Sequence, residues 1–510
     1  MGNVPKLYSA ELDGITAELI EVEADINVGL HAFNIVGLAD KAVSEAKERV
    51  NSALKNSGIK PPTKENRRIT INLAPADVKK VGSRFDLAIA LAYLLASDQI
   101  KPFETKDKIF VGELSLDGSL RPINGSLSVA LLARKNEIKE VFVPQANARE
   151  TAVLEGVNVV PVSNLSELIL HLEGIKKITF QPKTSIEPGF SKALVHVGEI
   201  KGQATAKRAL IIAAAGGHNI LMSGPPGTGK TMLAQALVSI LPPPTLEESI
   251  EITQIWSSLS LNESGFINYR PFRSPHHSAS LVSIIGGGAN PRPGEISLAH
   301  CGVLFLDEMP EFHRDVLEAL RQPLENGSVQ VARAKKSLTF PARFQLVAAM
   351  NPCRCGYFGD KEKECRCTAN EILNYQKRIS GPLLDRLDIQ IEVPRIPIEE
   401  LRTKHEEGAE NKHRGIVLET RKIQEVRFRK IDPKIYTNSQ ISGKLTDELI
   451  VLEKPAEEFL KKVIEKNFVS ARGYYRTLKV ARTIADLERS EKVKEDHLAE
   501  AFQCRLKTNE

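Results

Sequence analysis

Across residues 1 to about 170, short runs of β-branched and aromatic residues alternate with stretches whose apolar positions recur at helical spacing. "RRITINLAP" and "EVFVPQ" predict strands, and "GSRFDLAIALAYLLAS" and "SLSVALLARKN" predict helices. Residues 174–190, "GIKKITFQPKTSIEPGF", carry two prolines and no helical period, which predicts a linker. From about residue 196 the order becomes helix, strand, glycine-rich loop, helix, strand, the pattern of an α/β fold. After "DIQIEVPRIPIEEL" the strand pattern fades. The remainder reads as almost wholly helical, with a basic stretch at Arg421, Lys422, Arg427, Arg429 and Lys430. The expected division is 1–172, a linker over 173–195, an α/β core over 196–394 and an all-α part over 395–510.

A chain of 510 residues exceeds what one core can organise, consistent with about three units. Its 42% hydrophobic and 26% charged content is that of a soluble globular protein. No apolar run reaches membrane-spanning length, and "MGNVPKLYSAELDG" lacks a basic-then-apolar leader, so a cytoplasmic protein without membrane contact is expected. A net charge of +5 permits nucleic-acid contact but does not require it, since a mixed-sign solvated surface gives the same total.

"GHNILMSGPPGTGKTMLAQAL" sets a buried apolar run before G-x-x-x-x-G-K-T and a helical pattern after it, the context a phosphate-binding loop needs. Gly224, Pro225, Pro226, Gly227, Thr228 and Gly229 form the loop; its glycines let backbone N–H groups turn onto phosphate oxygens, aided by the helix N-terminus. Lys230 is placed to reach the β and γ phosphates of ATP, and Thr231 to give its hydroxyl to Mg²⁺. A plain glycine-rich turn is the alternative. "GVLFLDE" is an apolar strand ending in two carboxylates: Asp307 can hold the magnesium ion, and Glu308 can polarise the attacking water. Alone, such a pair is often a solvated turn. Beside a phosphate loop it predicts hydrolysis.

"PFRSPHHSAS", "GGGANPRPGEISLAHCGVLFLDEMPEF", "RQPLENGSVQVAR", "NPCRCGY" and "SGPLLDRLD" together resemble the magnesium-chelatase-like AAA+ ATPases of the YifB/ComM group, along nearly the whole chain. The resemblance implies an α/β fold with an AAA+ core built on a parallel sheet. It also implies an N-terminal α+β Lon-protease-like domain of the ribosomal S5 domain 2 type, and a C-terminal all-α lid. It further implies a homo-hexamer, and a DNA helicase or translocase that promotes branch migration in recombination or natural transformation. Asn351, ending the strand "ARFQLVAAMNP", would orient the attacking water, although taken alone an Asn-Pro turn is the preferred account. Arg386 in "ISGPLLDRLD" would reach the neighbouring subunit's γ-phosphate. Arg472 in "VSARGYYRTLKVARTIADL" would be a second sensor arginine, with a surface ion pair as its plain alternative. The long stretch between Lys230 and Asp307 leaves room for a pore hairpin tipped by Gly286, Gly287 and Gly288. Arg273, His276, His277 and Arg292 are its polar candidates, and structural hydrogen bonding is the preferred reading of the two histidines.

"DVKKVGSRFDLAIALAYLLAS" and "FVGELSLDGSLRPINGSLSVALLARKNEIKEVFVP" resemble the catalytic half of Lon proteases. Arg84 or Phe85 falls where their serine stands, and their basic lysine is replaced by Leu127, whose side chain cannot accept a proton. A fold retained for assembly or substrate binding is expected, without peptidase chemistry.

"NPCRCGYFGDKEKECRCTANE" places Cys353, Cys355, Cys365 and Cys367 within fifteen residues. The set suits a tetrahedral Zn²⁺ site, although four reduced thiols or redox disulfides fit the same letters. Arg354, Lys361, Lys363 and Arg366 beside them suit phosphate contact or plain solvation. The reading overall is an ATP- and Mg²⁺-dependent ring motor on single-stranded or branched DNA. A chelatase-type motor, a non-proteolytic remodeller and an ATP-retaining scaffold stand as rivals.

Overall fold

A computed structural model describes residues 4–505, other than 65, 188, 191–194, 260, 262–264, 289–290, 333–336, 361, 402–408, 433–434 and 468–469. Parts of the expected linker and pore hairpin, and Lys361 of the thiol loop, lie outside the described residues. The chain divides into two compact units, Met1–Glu187 with Ser249–Ile267, and Pro188–Glu248 with Asn268–Glu510.

The first unit is built on a mixed seven-stranded sheet. Its strands are β1 (Lys6–Asp13), β2 (Thr16–Val28), β3 (Ala32–Val36), β4 (Arg67–Ala74), β5 (Lys108–Phe110), β6 (Glu140–Pro144) and β7 (Asn158–Val162), in the spatial order β3-β4-β2-β1-β5-β6-β7. Helix α1 (Asp86–Ala96) is apolar almost all round and buried along nearly its whole length, as a helix sunk in a core must be. Phe85 before it and Leu127 in α2 (Ser126–Lys135) are fully buried. Part of the stretch expected as a linker is pinned here, Gln181 N–H donating to Val159 C=O at 2.8 Å and Thr184 N–H to Ala152 C=O at 2.9 Å.

In the second unit the near-continuous apolar runs "ILMS", "VLFL" and "QLVAAM" form strands buried on both faces, the mark of a parallel sheet covered by helices. The five strands are β8 (Ile220–Ser223), β9 (Phe272–Arg273), β10 (Val303–Leu306), β11 (Gln345–Met350) and β12 (Ile389–Glu392), in the order β9-β10-β11-β8-β12 and all parallel. Alternate residues serve two cores. Ile220, Met222, Phe305 and Val347 face helices α3 (Ala204–Gly216) and α4 (Lys230–Ile240), whereas Leu221, Leu304, Leu306 and Leu346 face Ile284, Val316 and Leu320.

Helix α5 (Ala369–Gln376) starts on a capping box between Thr368 and Glu371. The C-terminal part is helical: α6 (Ala409–Arg429), α7 (Gly443–Leu449), α8 (Lys454–Asn467), α9 (Ala471–Leu487) and α10 (Glu495–Gln503). Leu478, Ala481, Ile484 and Ala485 make the buried stripe of α9 and join the same core as α3 and α4. Among the described residues no helix is long and apolar enough to cross a membrane.

Candidate active site

The loop after β8 turns over the C-terminal edge of the sheet. Gly224 is required by close approach, because a Cβ there would stand 2.2 Å from the Val393 carbonyl oxygen. Gly229 caps α4 at φ 86°, a left-handed conformation that glycine adopts without cost. Lys230, the first residue of α4, donates from Nζ to the carbonyls of Gly224 at 2.6 Å and Pro225 at 2.9 Å, and to Asn351 Oδ1 at 3.2 Å. Burial pushes its ammonium down to about 8, against the pull of the Asp307 and Glu308 carboxylates.

Strand β10 delivers the acidic pair. Thr231 Oγ1 donates to Asp307 Oδ2 at 2.8 Å, so a hydroxyl and a carboxylate face one point, the oxygen donor set a Mg²⁺ ion takes. Glu308 is exposed and holds φ 50°, a backbone region that non-glycine residues visit rarely and that clusters at functional sites. Its Oε2 lies 3.6 Å from His277 Nδ1. Strand β11 runs between β8 and β10, which sets Asn351 at its end between the loop and the acidic pair.

Two expected site residues stand elsewhere. Arg386 is almost fully buried, donating to Pro382 C=O and pairing with Glu325. Its backbone carbonyl accepts from Asn219 Nδ2 at 3.1 Å, one residue before β8 begins, so it sits at the opposite sheet edge from the phosphate loop. There it lines a cavity of about 720 Å³ together with Arg270, Arg343, Arg421, Arg476 and Lys479. Arg472 is exposed in the first turn of α9, after the Ser470 cap.

Among the other polar candidates, Arg273 is tied to Glu295 at 2.6 and 2.8 Å, and His276 Nδ1 lies 2.8 Å from Ser278 Oγ. Gly286 pairs with Pro293 and Gly287 with Arg292, forming the base of a hairpin. The closeness of His277 to Glu308 had no local signal, since the two are far apart in sequence. A second cavity of about 910 Å³, lined by Val197, Gly202, Gln203, Pro394, Arg395 and His413 among others, opens past the end of β12. Nothing in the sequence pattern marked it; Gln203 in its wall holds φ 54° and donates to Pro394 C=O at 2.6 Å.

The four cysteines of the loop after Asn351 come together. Their sulfur atoms all lie within 4.8 Å of one another, and every one is a free thiol.

A phosphate loop ending one strand of a five-stranded parallel sheet, with an Asp-Glu pair ending another, defines a P-loop ATPase. The families described as "Magnesium chelatase, subunit ChlI", "Subunit ChlI of Mg-chelatase" and "Magnesium chelatase, subunit ChlI C-terminal" match residues 196–401, 22–147 and 407–505. Competence protein ComM of Haemophilus influenzae is 44% identical over 505 residues, covering 98% of this chain and 97% of that protein. YifB of Escherichia coli K12 is 42% identical over 497 residues, covering 96% of this chain and 95% of that protein. Lon protease of Rhizobium meliloti is 29% identical over 180 residues, 34% of this chain and 22% of the protease. The chain belongs to the YifB/ComM family of magnesium-chelatase-like AAA+ ATPases.

Proposed function

We propose that the protein is an ATP-hydrolysing motor that closes into a homo-hexameric ring in the cytoplasm and moves along single-stranded or branched DNA, as a helicase or translocase in recombination or natural transformation. The phosphate loop from Gly224 to Thr231 holds Mg²⁺-ATP, Thr231 and Asp307 hold the metal, and Glu308 activates water that Asn351 helps to orient. Arg386 of one copy completes the site of the next, and Arg472 senses the nucleotide from the lid. The Cys353, Cys355, Cys365 and Cys367 thiolates hold a structural Zn²⁺. The first unit, with Phe85 and Leu127 in its core, serves assembly or substrate binding without cleaving peptides.

One observation carries this reading. Lys230, Thr231, Asp307, Glu308 and Asn351 converge at one edge of the sheet while Arg386 stands at the other, which supports a reading in which the full complement comes from two copies. The DNA substrate is supported by the kinship to a competence protein, and the net charge of +5 permits it.

The test is ATP turnover by the purified full chain with no DNA, single-stranded DNA, duplex and forked DNA at two salt concentrations. Turnover should rise with single-stranded or forked DNA, and the rise should shrink at higher salt, because phosphate contacts release counterions. Equal turnover in all four conditions removes DNA from the proposal. An absence of turnover in every condition removes the motor.

A further inference from the structure

The loop that carries the four thiols packs against the phosphate loop. The Sγ separations are 3.4 Å for Cys353–Cys355 and 3.6 Å for both Cys353–Cys365 and Cys355–Cys365. Four thiolates bound tetrahedrally at about 2.3 Å from Zn²⁺ stand roughly 3.8 Å apart, whereas a disulfide would bring two sulfurs to about 2.05 Å. The spacing is that of a metal cage. Cys353 is fully buried and the other three are half-buried, so the cage is wrapped by the loop it staples.

That loop touches the nucleotide site at three places. It leaves directly from Asn351, which accepts a hydrogen bond from Lys230. Gly356, next to Cys355, rests on Pro226 inside the phosphate loop; at φ 87° a Cβ would stand 2.7 Å from Pro226 Cδ, which leaves no room for a side chain. Asp360 accepts from Arg395 Nε at 2.7 Å, and Arg395, 5.8 Å from the Tyr357 ring, stands two residues after Val393, whose carbonyl packs on Gly224. Between Asn351 and α5 the described residues form no helix or strand, and such a segment holds these contacts only if something removes its conformational freedom. The four thiols are the feature that can.

We propose that metal on the thiols and ATP on the phosphate loop stabilise each other's binding. This coupling rests on the zinc reading above. Loss of the metal frees residues 352–367 from Pro226 and Arg395 and weakens ATP. By linkage, bound nucleotide tightens the cage toward its metal by the same factor, of the size usual for coupled sites, about 5- to 150-fold.

The test uses the full chain carrying Glu308→Gln, so that ATP persists during measurement. Zinc per chain is read by elemental analysis. ATP affinity is read before and after treatment with a zinc-selective chelator that spares Mg²⁺, and zinc affinity is read by chelator competition with and without ATP. Stoichiometric zinc is expected, with ATP bound at least about 5-fold more weakly after stripping and zinc held more tightly with ATP by a matching factor. Negligible zinc overturns the metal reading and the coupling together. Stoichiometric zinc with both affinities unmoved overturns the coupling alone. Because the stripped protein can lose its fold, Asp360→Ala gives a second reading. It leaves every thiol in place, and should keep its zinc while showing a smaller factor in both affinities; an undiminished factor overturns the route through Arg395.

Discussion

Lys230 Nζ and Asn351 Oδ1 stand 3.2 Å apart, joining the first residue of α4 to the residue that follows β11. The cation proposed to bind phosphate and the residue proposed to orient water are therefore placed by two strands that hydrogen-bond in register, Ser223 opposite Met350. Asn351→Ala removes a group proposed to act on the attacking water while leaving the loop that holds phosphate. ATP turnover should fall about 100-fold, the scale of losing one oriented polar group in a transition state, with ATP affinity changing only a few-fold. Lys230→Ala should instead weaken binding itself. Steady-state kinetics beside equilibrium titration of both variants separate the two, and equal losses of affinity would remove the distinction.

Arg386 pairs with Glu325 at the sheet edge away from its own phosphate loop. If it serves the neighbouring copy, Arg386→Ala and Glu308→Gln damage opposite halves of one interface. Each variant alone should lose turnover by about a thousandfold or more, as for an arginine finger. Mixed before assembly, the two should recover a measurable fraction, because some interfaces then pair an intact Glu308 with an intact Arg386. No recovery at any ratio, in rings shown to contain both chains, would sink the shared site.

The phosphate loop and the acidic pair were legible because short apolar runs end in residues whose chemistry is unambiguous: glycine and lysine after "ILMS", aspartate and glutamate after "VLFL". The division of each run between two cores was not, since a continuously apolar strand gives no alternation to read; Leu221 and Met222 look alike and face opposite ways. The cysteine spacing raised a metal cage, and the structure gathers the four thiols that spacing singled out. What joins the thiol loop to the proposed ATP site, Gly356 on Pro226 and Asp360 on Arg395, is contact between residues distant in sequence and left no local trace. The same holds for His277 beside Glu308, where the letters showed only a histidine pair.

Asp486 gathers the lid. It is buried and accepts from Arg427 at 2.9 Å, from Arg482 at 3.0 and 2.7 Å, and from Asn438 at 2.8 Å. Asp486→Ala would leave two guanidinium groups without their common carboxylate, a change that costs about 3–5 kcal/mol when a buried pair is broken. The thermal midpoint of the variant should drop by several degrees. A midpoint within a degree of the parent would show that the network contributes little.

Asp388, two residues after Arg386, ties the core to the lid and makes stability depend on pH in a predictable direction. Burial opposes its ionisation. The hydrogen bond from His218 at 3.1 Å and the nearby Arg476 and Lys479 cations outweigh that and hold its carboxyl at about 2. An unfolded aspartate titrates near 3.9, so as acid is added the unfolded chain takes up this proton before the folded one does. The stabilisation is therefore fully present above about pH 4 and is lost as pH falls toward 2, a span worth about 2–3 kcal/mol. Urea midpoints measured from pH 6 down to 3 should fall more steeply for the parent than for Asp388→Asn, which should be less stable at pH 6 and converge on the parent in acid. Acid limbs of equal slope would show that the proton is taken up elsewhere, and that the bridge to Arg476 does not set the pH dependence of the core–lid junction.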